Sequence, residues 1–251
     1  MGYKDPLKKT SDRKGLLGLL ETMFRSFRIF SFLLFLTPLI VAYIIILGIS
    51  LTPAIYFFKL ASLWTEAQPI LIQCFALATS LGLGFIAFIF AIILTVPIFN
   101  LPLLPLMKPC KTTWHSLSLI PWFYHNALVT LVRFTILDFI TPSPIGLLFY
   151  RLMGMKMGKG VVINTTNIQD PCLITLGDYV TIGGSATMFA HYGMKGFLIL
   201  DRLHIKKGTT IGLKASLMGD VVVGENCLIQ AHAVILPKSR IPDGTTVEAC
   251  I

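Results

Sequence analysis

Five histidines, His115, His125, His191, His204 and His232, are the side chains of this chain best suited to move a proton near neutral pH. His191 stands apart from the others. It lies in residues 189–198 (FAHYGMKGFL), which interrupt an otherwise regular six-residue pattern, and interruptions of a rigid scaffold are where function concentrates. A neutral imidazole at such a place can take the proton of an attacking hydroxyl or amine. The competing reading is a solvated loop histidine. His204, beside Ile205, reads as orienting a partner or facing solvent, and His232, in the run IQAHAV, as pointing outward. His115 and His125 read as structural. The cysteines Cys74, Cys110, Cys172, Cys227 and Cys250 are scattered without a CxxC, so no disulfide framework is expected, and Cys172 and Cys227 read as small buried residues.

The scaffold around His191 shows in its period. Counting by six from Ile199 gives Ile205, Ile211, Leu217, Val223, Ile229, Ile235, Ile241 and Val247, nine aliphatic residues in one register. Upstream, Leu176, Ile182 and Met188 share a frame, preceded by Met157 and Ile163. Small side chains recur four places on, as at Thr209, Ala215, Cys227, Ala233, Ser239 and Thr245. A period of six belongs neither to a helix nor to simple strand alternation. It predicts a parallel β-helix in which each hexad makes a short strand and a turn, with the aliphatic residue inside. Stability then comes from stacking one coil on the next. The register breaks twice: one residue too many lies between Ile163 and Leu176, and residues 189–198 form the longer excursion.

Three stretches carry a resemblance: SATMFAHYGMKGFLILDRLHIKKGTTI at residues 185–211, YRLMGMKMGKGVVINTT through LITLGDYVTIG at 150–183, and VVVGENCLIQAHAVILPKSRIPDGTTV at 221–247. The first is similar to the hexapeptide-repeat acyltransferases of the maltose and xenobiotic acetyltransferase branch. The set as a whole resembles the membrane-associated C-terminal repeats of poly-lysine-synthetase-like (Pls/PosA-type) peptide synthetases. The resemblance implies a left-handed coil, acetyl-CoA or another acyl-CoA as co-substrate, His191 as the catalytic base and a homotrimer with its site between subunits. It further implies a backbone N–H at Gly212 or Ser216 as oxyanion donor. The coils from Ile211 to Lys238 would line the CoA groove, with Ala215, Ala231 and Ala233 leaving room for the pantetheine arm and Lys238 and Arg240 meeting phosphates. Zinc sites of the γ-carbonic-anhydrase kind on this fold have two ligands five residues apart. Here the histidine intervals are 13 and 28, and no metal is expected. Such repeats usually continue past the IPxGT motif into a capping helix, so an end at VEACI implies a partner over the last coil or an incomplete CoA site.

Composition places the rest of the chain. Of 251 residues, 55% are hydrophobic and 13% charged, against roughly 25% charged in ordinary soluble domains, which excludes a simple water-soluble enzyme and a disordered chain. Residues 29–58 and 67–107 hold no charged side chain, and about 20 such residues span a bilayer. Transmembrane helices are expected near 28–50, extending or kinking through Pro53 to about 62, and near 69–99. The net charge of +9 sits wholly in the first 160 residues, beside the apolar runs, which points to anionic lipid and membrane topology rather than nucleic acid. Seven basic residues precede the first span, Lys108 and Lys111 follow the second, and the connecting turn has no net charge, so both termini are expected in the cytoplasm of a bacterial inner-membrane protein.

The expected class is therefore an α+β membrane protein. It has a basic segment (1–27), two transmembrane helices (28–111), interfacial helices rich in aromatic residues (112–155) and a β-helix (156–251). The expected function is transfer of an acyl group from acyl-CoA to a hydroxyl or amine of a lipid-linked or envelope-related acceptor. The rivals are a peptide-bond-forming or acceptor-presenting accessory domain and a non-catalytic trimerising scaffold.

Overall fold

The computed structural model describes residues 8–249 apart from Arg13 and His115. The chain forms two compact units, one made of Leu36–Phe99 and the other of Met1–Phe35 with Asn100–Ile251.

The first of these holds most of helices α2 (Arg28–Thr65) and α3 (Ile70–Asn100). Both are apolar all round, as a helix in hydrocarbon must be. The first runs unbroken through Pro38 and Pro53. At about 1.5 Å per residue its 38 residues reach further than the ~30 Å hydrocarbon core. The two helices approach closely at Ala54 and Gly84: a Cβ on Gly84 would fall 2.9 Å from the Cα of Ala54. Small residues at a crossing let backbones approach where no hydrophobic drive exists between helices. The turn is held by the Gln73 side chain, which donates to the carbonyls of Glu66 and Gln68.

In the second unit the expected solenoid is present as a parallel β-helix with three faces. One face stacks the strands Lys156–Met157, Ile174–Leu176, Leu203–Ile205, Val221–Val223 and Arg240–Ile241. A second stacks five strands from Val162–Ile163 to Thr246–Val247, and the third stacks four from Ile168–Gln169 to Val234–Ile235. Register is carried by the aliphatic positions: Ile182, Ile211 and Ile229 are neighbours on one face, and Met188, Leu217 and Ile235 on another. All six are buried. Gly212 shows how closely the coils approach, since a Cβ there would meet the backbone N of Ala231 at 2.5 Å. Several corners use left-handed backbone, as at Asn226, His232 and Lys238.

One expectation fails. Ile199 is no interior rung. It lies in the strand Phe197–Leu200, which pairs antiparallel with His191–Met194 and with Cys110–Thr113, so the chain leaves the solenoid at residues 191–200, not 189–198, as a hairpin extended by a third strand. The interior register resumes at Ile205.

Two helical pieces flank this body. Within the basic N-terminal segment, helix α1 (Gly15–Ser26) is amphipathic, with Leu16, Leu17, Leu19, Leu20 and Met23 exposed. Helix α4 (Ile120–Val132) continues through a π-helical turn, Arg133–Leu137, to Ile140. Three helical stretches are thus long and apolar enough to cross a membrane: Phe32–Thr65, Ile70–Asn100 and Leu117–Ile140. The third differs from the other two in its polar residues, which bond to the β-helix. Arg133 donates to the Asn167 side chain, and the Thr166 hydroxyl donates to Asp138 at 2.6 Å.

Candidate active site

The site begins where the first register break falls. After the strand Ile168–Gln169 the chain turns at Asp170, whose backbone is left-handed (φ 55°), and enters a short 3-10 turn, Pro171–Leu173. Gln169 pairs with Phe189 on the next coil, just before the hairpin leaves the solenoid. The two interruptions therefore lie on adjacent coils, one above the other, and bring the carboxylate of Asp170 to the ring of His191. Asp170 Oδ2 is 2.5 Å from His191 Nδ1.

The carboxylate has no exposed side-chain surface. A buried charge is tolerable only when its lone pairs are met, and α4 supplies the donors. The indole N–H of Trp122 donates to Oδ1 at 2.7 Å and the Asn126 amide to the same oxygen at 2.6 Å. The Asn126 carbonyl oxygen accepts in turn from the backbone N–H of Asp170 at 3.0 Å. A carboxylate only accepts, so the ring nitrogen facing it carries the hydrogen, and Nε2 is left with the lone pair in the neutral imidazole. Phe189 stacks on the ring (5.4 Å between centroids, 13° between planes) and Trp122 meets it edge-on at 5.2 Å. His191 keeps 17% of its side-chain surface exposed, so a reactant can reach it. A fixed, partly open imidazole backed by a buried carboxylate has the geometry that proton removal from a reactant requires.

A second histidine lies next to this cluster and has a different character. His125 is fully buried, with Nδ1 2.7 Å from Asn100 Oδ1 and Nε2 3.5 Å from Cys172 Sγ. The Cys172 thiol is pushed up to about 12 by burial and by the charge of Asp170, so it stays protonated and is no nucleophile. His204 sits in the strand Leu203–Ile205; partial burial, then Arg202 and Lys156, lower its pKa and keep it neutral. His232 is an exposed corner residue with left-handed backbone. His115 lies outside the described residues.

The groove residues fare unevenly. The N–H groups of Gly212 and Ser216 donate to the carbonyls of Ile229 and Ala233 at 2.7 and 2.9 Å. Both belong to the ladder between coils, so neither serves as an oxyanion donor. Ala215 and Ala233 are fully buried inside the prism and make no room at the surface, whereas Ala231 is exposed. Arg240 is tied to Asp220, with Nη2 2.5 Å from Oδ1 and Nη1 donating to its backbone carbonyl at 2.6 Å. Lys238 is exposed. Of the set expected to line a CoA groove, Ala231 and Lys238 are the two open surface positions without such a commitment. Asp170, Trp122 and Asn126 were not singled out from the sequence. The extra residue between Ile163 and Leu176 was the signal that could have led to Asp170; nothing local marked the other two.

Fold and site together define a β-helix of hexapeptide repeats bearing a histidine–carboxylate pair that a flanking helix holds in place. No known protein-family profile matches the chain. A stretch of 106 residues, 40% of this chain, is 27% identical to the delta-poly-L-ornithine synthetase of Acinetobacter baumannii and spans 8% of that protein's length. Among solved structures, the chain is similar to a maltose O-acetyltransferase of Clostridium difficile (16% identity, 56% of this chain and 88% of that one, TM-score 0.43). It is also similar to a hexapeptide-repeat-containing acetyltransferase of Vibrio cholerae complexed with acetyl-coenzyme A (17% identity, 54% and 86%, TM-score 0.41). None of these likenesses carries an activity over to this chain.

Proposed function

We propose that the protein is a membrane-anchored acyltransferase that moves an acyl group from an acyl-CoA thioester to a hydroxyl or amine, with His191 as general base and Asp170 as the group that orients it. The observation that carries this reading is the 2.5 Å contact between His191 Nδ1 and the buried Asp170 carboxylate. As the acceptor attacks the thioester carbonyl, His191 Nε2 takes its proton. The new C–O or C–N bond forms, the C–S bond breaks, and the imidazolium returns the proton to the departing CoA thiolate. The long apolar helices α2 and α3 support the membrane anchor, and the basic residues that flank the pair support a cytoplasmic site acting on lipid-linked or envelope-related acceptors. A homotrimer is the assembly that goes with this reading, since closed symmetry suits flat solenoid faces.

The test is transfer and CoA release by the full chain in detergent, given acetyl-CoA with a simple amine or alcohol. Turnover that falls by about 10²–10⁴ in His191→Ala, with acyl-CoA binding kept, supports it. Wild-type protein that binds no acyl-CoA, or a His191→Ala variant with full turnover, overturns it.

The partial likeness to a poly-ornithine synthetase favours a second reading on the same residues, in which the donor is an aminoacyl thioester and the product an amide between amino acids. Replacing acetyl-CoA by an aminoacyl thioester in the same assay separates the two.

A further inference from the structure

We propose that an apolar cavity beside the His191–Asp170 pair binds the hydrocarbon chain of the acceptor, so that the reacting hydroxyl or amine is the head of a long-chain lipid. The chemistry rests on the acyltransferase reading above; the chain site rests on the cavity itself.

The cavity has a volume of about 590 Å³ and lies within the unit that carries the β-helix. Its lining includes Phe24 of α1, Phe32 and Leu33 from the start of α2, and Trp114, Trp122 and Phe123. An apolar cavity of about 150 Å³ already takes up benzene, so this one suits a chain on the order of a dozen carbons or more and is far larger than an acetyl group needs.

The lining selects hydrocarbon. It holds no charged residue, and the side-chain polar atoms of Ser116, Trp122 and Tyr124 are already engaged. The Tyr124 hydroxyl donates to the Phe35 carbonyl at 2.5 Å. Ser116 Oγ accepts from the Ser118 backbone N–H at 3.3 Å, and the Trp122 N–H is spent on Asp170. A polar occupant would leave its own groups unpaired there, whereas a methylene chain loses nothing.

The cavity is joined to the chemistry through one residue. Trp122 is at once its wall, a donor to Asp170 and the edge-on neighbour of His191. Trp114, 6.4 Å from Trp122, stands 3.9 Å from where a Cβ on Gly193 would sit, two residues beyond His191. A chain lying along these indoles ends its head group near the imidazole, which is where the acceptor's proton is removed.

Access favours the acceptor over the donor. Helix α1, which contributes Phe24, exposes Leu16, Leu17, Leu19 and Leu20, with Lys8, Lys9 and Lys14 close by in sequence, the pattern of a helix lying on an anionic bilayer. A lipid already dissolved in that bilayer enters without crossing water, whereas an acyl-CoA arrives from water with its charged nucleotide.

The experiment uses the full chain in lipid nanodiscs and a long-chain alkyl amine with a diazirine near its methyl end. Saturable labelling at Trp114, Phe123 or Phe32, competed by unlabelled hexadecylamine and reduced about tenfold by the cavity-filling Leu33→Trp, is expected. Leu33 is 54% exposed, so the fold should tolerate the change, and Ile120→Trp is the second variant. With acetyl-CoA as donor, hexadecylamine should show a KM at least about tenfold below that of butylamine, a ratio two buried methylenes can supply, and Leu33→Trp should abolish the difference by raising the KM of hexadecylamine. Labelling confined to other helix surfaces, or unchanged by both variants, overturns the site. Discrimination that follows the donor's chain instead overturns its assignment to the acceptor. Labelling as expected with no transfer to any amine or alcohol leaves the chain site standing and overturns the acyltransferase reading.

Discussion

Asp170 and His191, 21 residues apart in sequence, meet at 2.5 Å because each sits at an interruption of the six-residue period on neighbouring coils. The solenoid supplies the spacing, and the interruptions supply the two side chains. The pair separates chemistry from stability by substitution. Asp170→Asn keeps the shape but puts an amide where the ring needs an acceptor, which disturbs the tautomer; turnover should fall by about 10²–10⁴ with little change in melting. Asp170→Ala also leaves the Trp122 N–H without a partner and the Asn126 amide with the Trp122 carbonyl alone, and should cost about 1–3 kcal/mol for the unmet indole N–H. Thermal melts beside turnover over a range of pH distinguish the two. An Asp170→Asn variant as active as wild type would remove Asp170 from the mechanism.

Much of this was legible beforehand, for physical reasons that differ by residue. Ile211, Leu217, Val223 and Ile229 announce the β-helix because each coil must fill the same interior. The charge-free runs announce α2 and α3 because hydrocarbon tolerates no charge. Ile199 misled because an aliphatic residue in step with the period can still belong to a hairpin. Trp122 and Asn126 were hidden, since their function is to bond a carboxylate 48 and 44 residues away and no local pattern encodes that. Gly212 and Ser216 looked available because sequence does not show which N–H groups the ladder consumes.

Gly212 tests the stacking directly. Its missing Cβ gives the next coil its place, 2.5 Å from the Ala231 nitrogen, and the obstacle is backbone, which cannot swing away as a side chain can. Gly212→Ala should destabilise the domain by about 1–3 kcal/mol, as overpacking does. Ile211→Asp, which puts a charge inside the prism, should unfold it. Circular dichroism melts of the full chain read both, and a Gly212→Ala protein as stable as wild type would mean that the coils can part freely.

Cys172 gives a pH-dependent prediction. Burial first, and Asp170 second, raise its thiol to about 12. The sign is that the reactive thiolate appears only as pH climbs toward that value. At pH 8 about one thiol in 10⁴ is ionised, against about a quarter for a free thiol near 8.5. Iodoacetamide should therefore spare Cys172 at pH 8 in the folded protein and modify it after denaturation, as mass spectrometry of the peptides would show. Cys172→Ser should leave acyl transfer within about twofold, because the neutral thiol has no part in it. Rapid labelling of native Cys172 would mean that the pocket around His125 is open or that the thiol is activated.

The last prediction concerns orientation. Lys4, Lys8, Lys9, Arg13, Lys14 and Arg25 precede the first long helix and Arg28 begins it, Lys108 and Lys111 follow the second, and the turn between them carries Glu66 with Lys59 a short way before it. The cost of moving basic residues across a membrane against its potential falls on the two flanks and hardly on the turn, so the flanks stay inside. Trp64, 76% exposed at the end of α2, then stands at the outer surface, where an indole prefers the headgroup region. A cysteine placed by Gln68→Cys in a chain whose own cysteines are replaced by serine should react with a membrane-impermeant maleimide on intact spheroplasts. One placed by Lys238→Cys, on the β-helix, should react only after lysis. The opposite pattern would place the His191–Asp170 site outside the cytoplasm, away from any supply of acyl-CoA, and would count against acyl transfer from CoA as strongly as a failed binding assay.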